Sequence, residues 1–122
     1  MARILVIDDD AGMVHMLETA LRAAGHQVRS ARDGQHGLQQ FTAQPSELVI
    51  ADIFMPEQDG LEVIRAVRRQ DARVKILAIT GLPDFNNPLG AALRLGANRT
   101  LEKPFRPDEL LAAVNDVLLS KG

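Results

Sequence analysis

Polar side chains stand where the apolar runs of this chain stop. Ile4-Leu5-Val6-Ile7 leads into Asp8, Asp9 and Asp10; Leu48-Val49-Ile50-Ala51 leads into Asp52; Ile76-Leu77-Ala78-Ile79 leads into Thr80. A short final strand candidate, Asn98 to Leu101, leads into Glu102, Lys103 and Pro104. If the runs are strands of one parallel sheet, their ends share an edge, and Asp8, Asp9, Asp52, Thr80 and Lys103 meet there. Two carboxylates about 4 Å apart repel by roughly 1 kcal/mol in water and about 4 kcal/mol at an effective dielectric near 20. Three of them need more positive charge than Lys103 supplies. A hard divalent cation with oxygen ligands answers that need, and a few carboxylates plus waters suit Mg²⁺. Magnesium and a lysine beside a carboxylate make a place for a phosphoryl group, with Thr80 able to donate to one of its oxygens. The carboxylate itself can be the nucleophile and carry an acyl phosphate.

The elements that must position these groups are legible as alternating patterns. The three central runs are short, continuous and rich in β-branched residues, the habit of parallel strands buried on both faces. His26 to Ala31 alternates with polar residues and suits an edge. Between the runs lie helical periods. Met13, Met16, Leu17, Ala20, Leu21 and Ala24 form one stripe, with Gly25 placed to end it. Leu38 and Phe41 mark a second helix that stops before Pro45. Val63, Ile64 and Val67 mark a third, entered through Gly60. Leu89, Ala92 and Leu93 mark a short fourth from near Pro88 to Gly96, and Leu110, Val114, Val117 and Leu118 mark a fifth that starts at Pro107 and Asp108. Five βα units in succession predict an α/β protein whose parallel sheet is covered by helices on both faces.

Composition narrows the function. With 122 residues, 46% hydrophobic and 25% charged, the chain reads as one domain, residues 1–122. The net charge of −2 gives no basis for nucleic-acid binding held by charge alone, and no apolar run is long enough for a membrane span. The absence of cysteine excludes thiol catalysis and Cys-ligated metals. No signal peptide opens the chain, so a cytoplasmic location is expected.

The same residues carry a resemblance that covers nearly the whole chain. Ile4 to Asp10, Asp52-Ile53-Phe54-Met55-Pro56 with Asp59-Gly60, Ile79-Thr80, Leu95-Gly96-Ala97 and Lys103-Pro104-Phe105 together resemble the receiver domain of two-component response regulators. The resemblance implies a doubly wound, flavodoxin-like sheet in the order 2-1-3-4-5. It implies that Asp52 is the phosphoacceptor, and that Asp8, Asp9, Asp52 and the main-chain carbonyl of Phe54 hold Mg²⁺. It implies that Lys103 pairs with the phosphate, that Thr80 moves onto it, and that the Lys103–Pro104 bond is cis. The phosphodonor would be a histidine kinase or a histidine phosphotransfer protein, and the downstream target a protein the sequence does not name. Such a chain is a switch, catalysing only its own phosphorylation and dephosphorylation, either as a stand-alone receiver or as a piece of a larger regulator.

One position departs from the family's habit. Three residues before the lysine, where Tyr or Phe is usual, this chain has Thr100, which shifts the expected readout to Thr80 and the 81–87 loop. Other residues are expected to be plain: His15, His26 and His36 on the surface, Met13 and Met16 as core filler, Arg65, Arg68 and Arg69 as a solvated face, Asp10 as a helix cap. Two other functions remain: a Mg²⁺-dependent phosphohydrolase using Asp8 and Asp10, and a degenerate receiver that serves only as a docking scaffold.

Overall fold

The computed structural model describes residues 2–53, 60–80 and 88–120, with residues 88–91 described by their backbone alone. The elements run β1 (Arg3–Ile7), α1 (Ala11–Ala23), β2 (Gln27–Ala31), α2 (Gly34–Ala43), β3 (Leu48–Asp52), α3 (Gly60–Gln70), β4 (Lys75–Thr80), α4 (Pro88–Leu95), β5 (Arg99–Glu102) and α5 (Pro107–Leu119). All neighbouring strands are parallel, in the order β2-β1-β3-β4-β5.

The side-chain period of two explains the continuous apolar runs. Ile4, Val6, Leu48, Ile50, Leu77 and Ile79 face one way and pack against Leu17 and Leu21 of α1 and Leu110, Val114 and Val117 of α5. Leu5, Ile7, Val49, Ala51, Ile76 and Ala78 face the other way, against Phe41 of α2, Val63, Ile64 and Val67 of α3, and Ala92 of α4. The three central strands, β1, β3 and β4, are apolar at nearly every position because both of their faces are covered. The expected five βα units and strand order are therefore those observed, with β2 and β5 at the edges.

Local differences have local causes. The α1 stripe is turned from its expected centre: Val14, Leu17 and Leu21 are its buried residues, while Met13, Met16 and Ala20 pack at the flank. The helix begins at Ala11 because the Asp10 carboxylate accepts from the N–H groups of Gly12 (2.9 Å) and Met13 (3.3 Å). It ends as expected, at Gly25 with φ +94°. There Gly25 N–H donates to Arg22 O (2.9 Å) and His26 N–H to Leu21 O (3.1 Å).

Two residues expected on the solvated surface are not there. Arg68 is half-buried and donates to Val74 O (2.7 Å), Gly96 O (2.7 Å), Asp71 O (3.3 Å) and Asn98 Oδ1 (3.2 Å). It thus ties the end of α3 to the turn between α4 and β5. His26 is half-buried at the opposite edge of the sheet from the aspartates, where its Nδ1 accepts from Ala2 N–H (3.0 Å). His15 and His36 are exposed as expected.

Candidate phosphoacceptor site

Four strands deliver the site from their C-terminal ends. Asp52 and Thr80 are the last residues of β3 and β4; Asp8 and Lys103 directly follow β1 and β5. The backbone ladder continues past the strands: Asp8 N–H donates to Ala31 O (3.1 Å), Ile53 N–H to Ile79 O (2.9 Å) and Lys103 N–H to Thr80 O (2.7 Å). The chain atoms that carry the site are thus held by the sheet rather than by free loops. The Lys103–Pro104 peptide is cis, as the sequence implied.

Asp8 is fully enclosed, and Asp52 and Thr80 are 4% and 1% exposed. Lys103 Nζ donates to Asp8 Oδ2 at 3.2 Å and to Asp52 Oδ2 at 3.4 Å. Asp10 N–H donates to the other Asp8 oxygen at 2.9 Å. Asp9 is exposed, yet one of its oxygens lies with an oxygen of Asp8 and one of Asp52 within 4.8 Å of one another. Sequence reasoning therefore brought together Asp8, Asp9, Asp52 and Lys103, and placed Thr80 on the same edge, opposite Glu102 in the β4–β5 register. Phe54, expected as a main-chain ligand, and the 81–87 loop, expected to carry the readout, lie outside the described residues. Thr100 is on β5 and half-buried.

The electrostatics show a site short of positive charge. Burial raises the Asp8 carboxyl from its ordinary 3.8 to about 6; the Asp10 N–H works against the rise, the Asp52 charge adds to it, and Lys103 opposes it. Burial also disfavours the Lys103 ammonium, but the charges of Asp8 and Asp52 outweigh it and hold its pKa above the ordinary lysine value. One ammonium shared between two buried carboxylates, with a third beside them, leaves room for a hard cation. An all-oxygen donor set of this kind fits Mg²⁺.

One feature escaped the sequence pattern. Gly60, read as the entry to α3, lies against the end of β3: a methyl group on it would stand 2.1 Å from Asp52 O and 2.3 Å from Ile53 Cα. In the sequence Gly60 stood out as the entry to a helix and as part of the Asp59-Gly60 pair, neither of which shows what it lies against.

Comparison with known proteins agrees with this geometry. The family model described as the response regulator receiver domain matches residues 4–115. The chain is 40% identical over 116 residues to a probable transcriptional regulator ycf27 of Porphyridium aerugineum, covering 95% of this chain and 48% of that protein. It is 35% identical over 117 residues to the alkaline phosphatase synthesis transcriptional regulatory protein PhoP of Bacillus subtilis, again covering 95% and 48%. Among solved structures, the chemotaxis protein CheY4 of Vibrio cholerae superposes with a TM-score of 0.89 at 31% identity, covering 96% of this chain and 98% of that one. A putative response regulator from Chloroflexus aurantiacus gives 0.89 at 35% identity, with 98% of both chains covered. The chain belongs to the response regulator receiver domain family, and its fold is the CheY-like one. It spans about half the length of the curated relatives it matches. Among the described residues, no helix is long and apolar enough to cross a membrane.

Proposed function

We propose that this chain is a phosphorylation switch in which Asp52 accepts a phosphoryl group from a phosphohistidine on a histidine kinase or phosphotransfer protein. The observation that carries the reading is Lys103 Nζ poised between Asp8 Oδ2 and Asp52 Oδ2, at the end of four parallel strands. A carboxylate oxygen of Asp52 forms the new P–O bond as the N–P bond of the donor breaks, and the imidazole nitrogen leaves with the electron pair and takes up a proton. Water later cleaves the acyl phosphate, returning the Asp52 carboxylate and inorganic phosphate. Lys103 neutralises the phosphoryl oxygens as they approach, and the Thr80 hydroxyl donates to one of them. Asp8, Asp9 and Asp52, with the Phe54 carbonyl, are the residues that would hold Mg²⁺; when bound, the ion supplies charge neutralisation for the transferring group. The reaction acts on the protein itself, and its place is the cytoplasm, with an unidentified protein as the downstream target.

The phosphohydrolase alternative needs Asp10 for acid–base work beside Asp8. Asp10 is instead engaged as the α1 cap, which supports the switch. The test is incubation with acetyl phosphate and Mg²⁺, read by mass spectrometry. One hydroxylamine-labile phosphoryl group is expected on the wild type and none on Asp52→Asn. Equal labelling of the variant would remove the assignment.

A further inference from the structure

We propose that Gly60 is a positioning residue for Asp52: its missing side chain lets the first turn of α3 seat directly on the Asp52–Ile53 peptide and so sets where the Asp52 carboxylate stands. The proposal rests on the reading of Asp52 as phosphoacceptor. The contact is backbone against backbone. A methyl group on Gly60 would lie 2.1 Å from Asp52 O, 2.3 Å from Ile53 Cα and 2.9 Å from Asp52 C. No side-chain rotation can relieve such an overlap, so either α3 or the end of β3 must shift. α3 is not free to shift alone. Val63, Ile64 and Val67 are fully enclosed against the sheet, and Arg68 anchors the far end through four acceptors. Nor is β3 held loosely further back, since Val49, Ile50 and Ala51 are enclosed on both faces. Displacement therefore falls on the contact itself, the Asp52–Ile53 peptide, and works against the Ile53 N–H to Ile79 O bond (2.9 Å) that holds it. The Asp52 carboxylate must stay near Lys103 and near the oxygens of Asp8 and Asp9, so a shift of its backbone disturbs both relations at once.

The experiment compares Gly60→Ala with Val117→Ala, a buried α5 position in the core on the opposite face of the sheet, where truncation destabilises without altering the backbone contact between Gly60 and Asp52. Three quantities are measured: folded fraction by circular dichroism, affinity for Mg²⁺ alone by calorimetry, and the rate of hydroxylamine-labile phosphorylation by acetyl phosphate. Trimethylamine N-oxide is added wherever a variant is partly unfolded. Folded Gly60→Ala is expected to bind Mg²⁺ more weakly and to be phosphorylated about 100-fold more slowly, the scale of a displacement near 1 Å at a reacting group. Val117→Ala is expected to keep wild-type affinity and rate per folded molecule. Wild-type behaviour in folded Gly60→Ala would overturn the proposal, as would defects in both variants that track stability alone. So would failure of Gly60→Ala to fold even with the osmolyte, which would make Gly60 a packing residue. A wild type that takes no label at Asp52 would remove the phosphoacceptor reading instead, and the magnesium measurement would then decide Gly60 by itself.

Discussion

Three consecutive aspartates follow β1, and their surroundings divide their work. Asp8 is enclosed and held by Lys103 and by the Asp10 N–H. Asp10 turns outward and caps α1. Asp9 is exposed but keeps an oxygen in the acidic cluster. Asp10→Ala is therefore expected to lower stability by about 1 kcal/mol, the usual scale of a lost N-cap, while leaving Mg²⁺ affinity near wild type. Asp9→Ala is expected to do the reverse, weakening Mg²⁺ binding by roughly tenfold or more, since even an outer partner of a metal ligand is worth that much. Urea unfolding in chelator and calorimetric titration separate the two. If Asp10→Ala loses the metal and Asp9→Ala keeps it, the division is reversed. Asp8, Asp52 and Thr80 were readable from sequence because each terminates an apolar run, and Lys103 because it follows the short last strand candidate; parallel strands put all such ends on one edge. The closeness of Gly60 to Asp52 was not readable, because a close approach of two backbones leaves no periodic trace.

At the scale of an element, α3 shows how far a helical pattern carries. Val63, Ile64 and Val67 mark its buried face, and the structure buries those three. Arg65, Arg68 and Arg69 look alike in the sequence, yet Arg65 and Arg69 are exposed while Arg68 reaches across to Gly96 O and Asn98 Oδ1. Its acceptors come from a turn far along the chain, so the helix's own spacing could not single it out. The Asn98 side chain it touches also accepts from Ile76 N–H at 2.8 Å, which joins α3, β4 and the turn before β5. Truncating Arg68 leaves several main-chain acceptors without their donor. Arg68→Ala is expected to lower stability by about 1–3 kcal/mol, and Arg68→Lys to recover only part of it, because one ammonium cannot fork to acceptors on separate segments. Arg69→Ala is expected to stay within about 0.5 kcal/mol of wild type. Equal midpoints for Arg68→Ala and Arg69→Ala in urea would show that the clamp contributes nothing.

Across the whole molecule, the two edges of the sheet respond to pH in opposite senses. At the C-terminal edge Asp8 holds its proton more tightly in the folded protein, burial raising it from 3.8 to about 6 while Asp52 adds to the rise and Asp10 N–H and Lys103 oppose it. Its favourable contribution is complete below about pH 4 and is lost as pH rises toward 6. At the N-terminal edge burial lowers His26 below its ordinary 6.5, with nearby Glu47 working against the shift. The Nδ1 that accepts from Ala2 N–H must stay unprotonated to do so. The folded state therefore prefers the neutral ring, and the contribution of His26 is complete above 6.5 and lost as pH falls through its folded value. The exposed carboxyls of Asp33 and Asp108, both held below the ordinary value, are a background common to every variant. Substituting each group should uncover the other. In chelator, the wild type should lose stability relative to Asp8→Asn as pH rises from 4 to 6. It should lose stability relative to His26→Gln as pH falls below 6.5. Millimolar Mg²⁺ should abolish the first difference, because a cation at the site favours the ionised Asp8 carboxylate, and leave the second untouched, because His26 is at the far edge. Urea denaturation of the three proteins, in chelator and in Mg²⁺, at intervals between pH 4 and 7 measures these curves. A wild-type curve parallel to that of Asp8→Asn in chelator would mean that the buried carboxyl does not titrate in this window and that the site is better neutralised without metal than its geometry indicates.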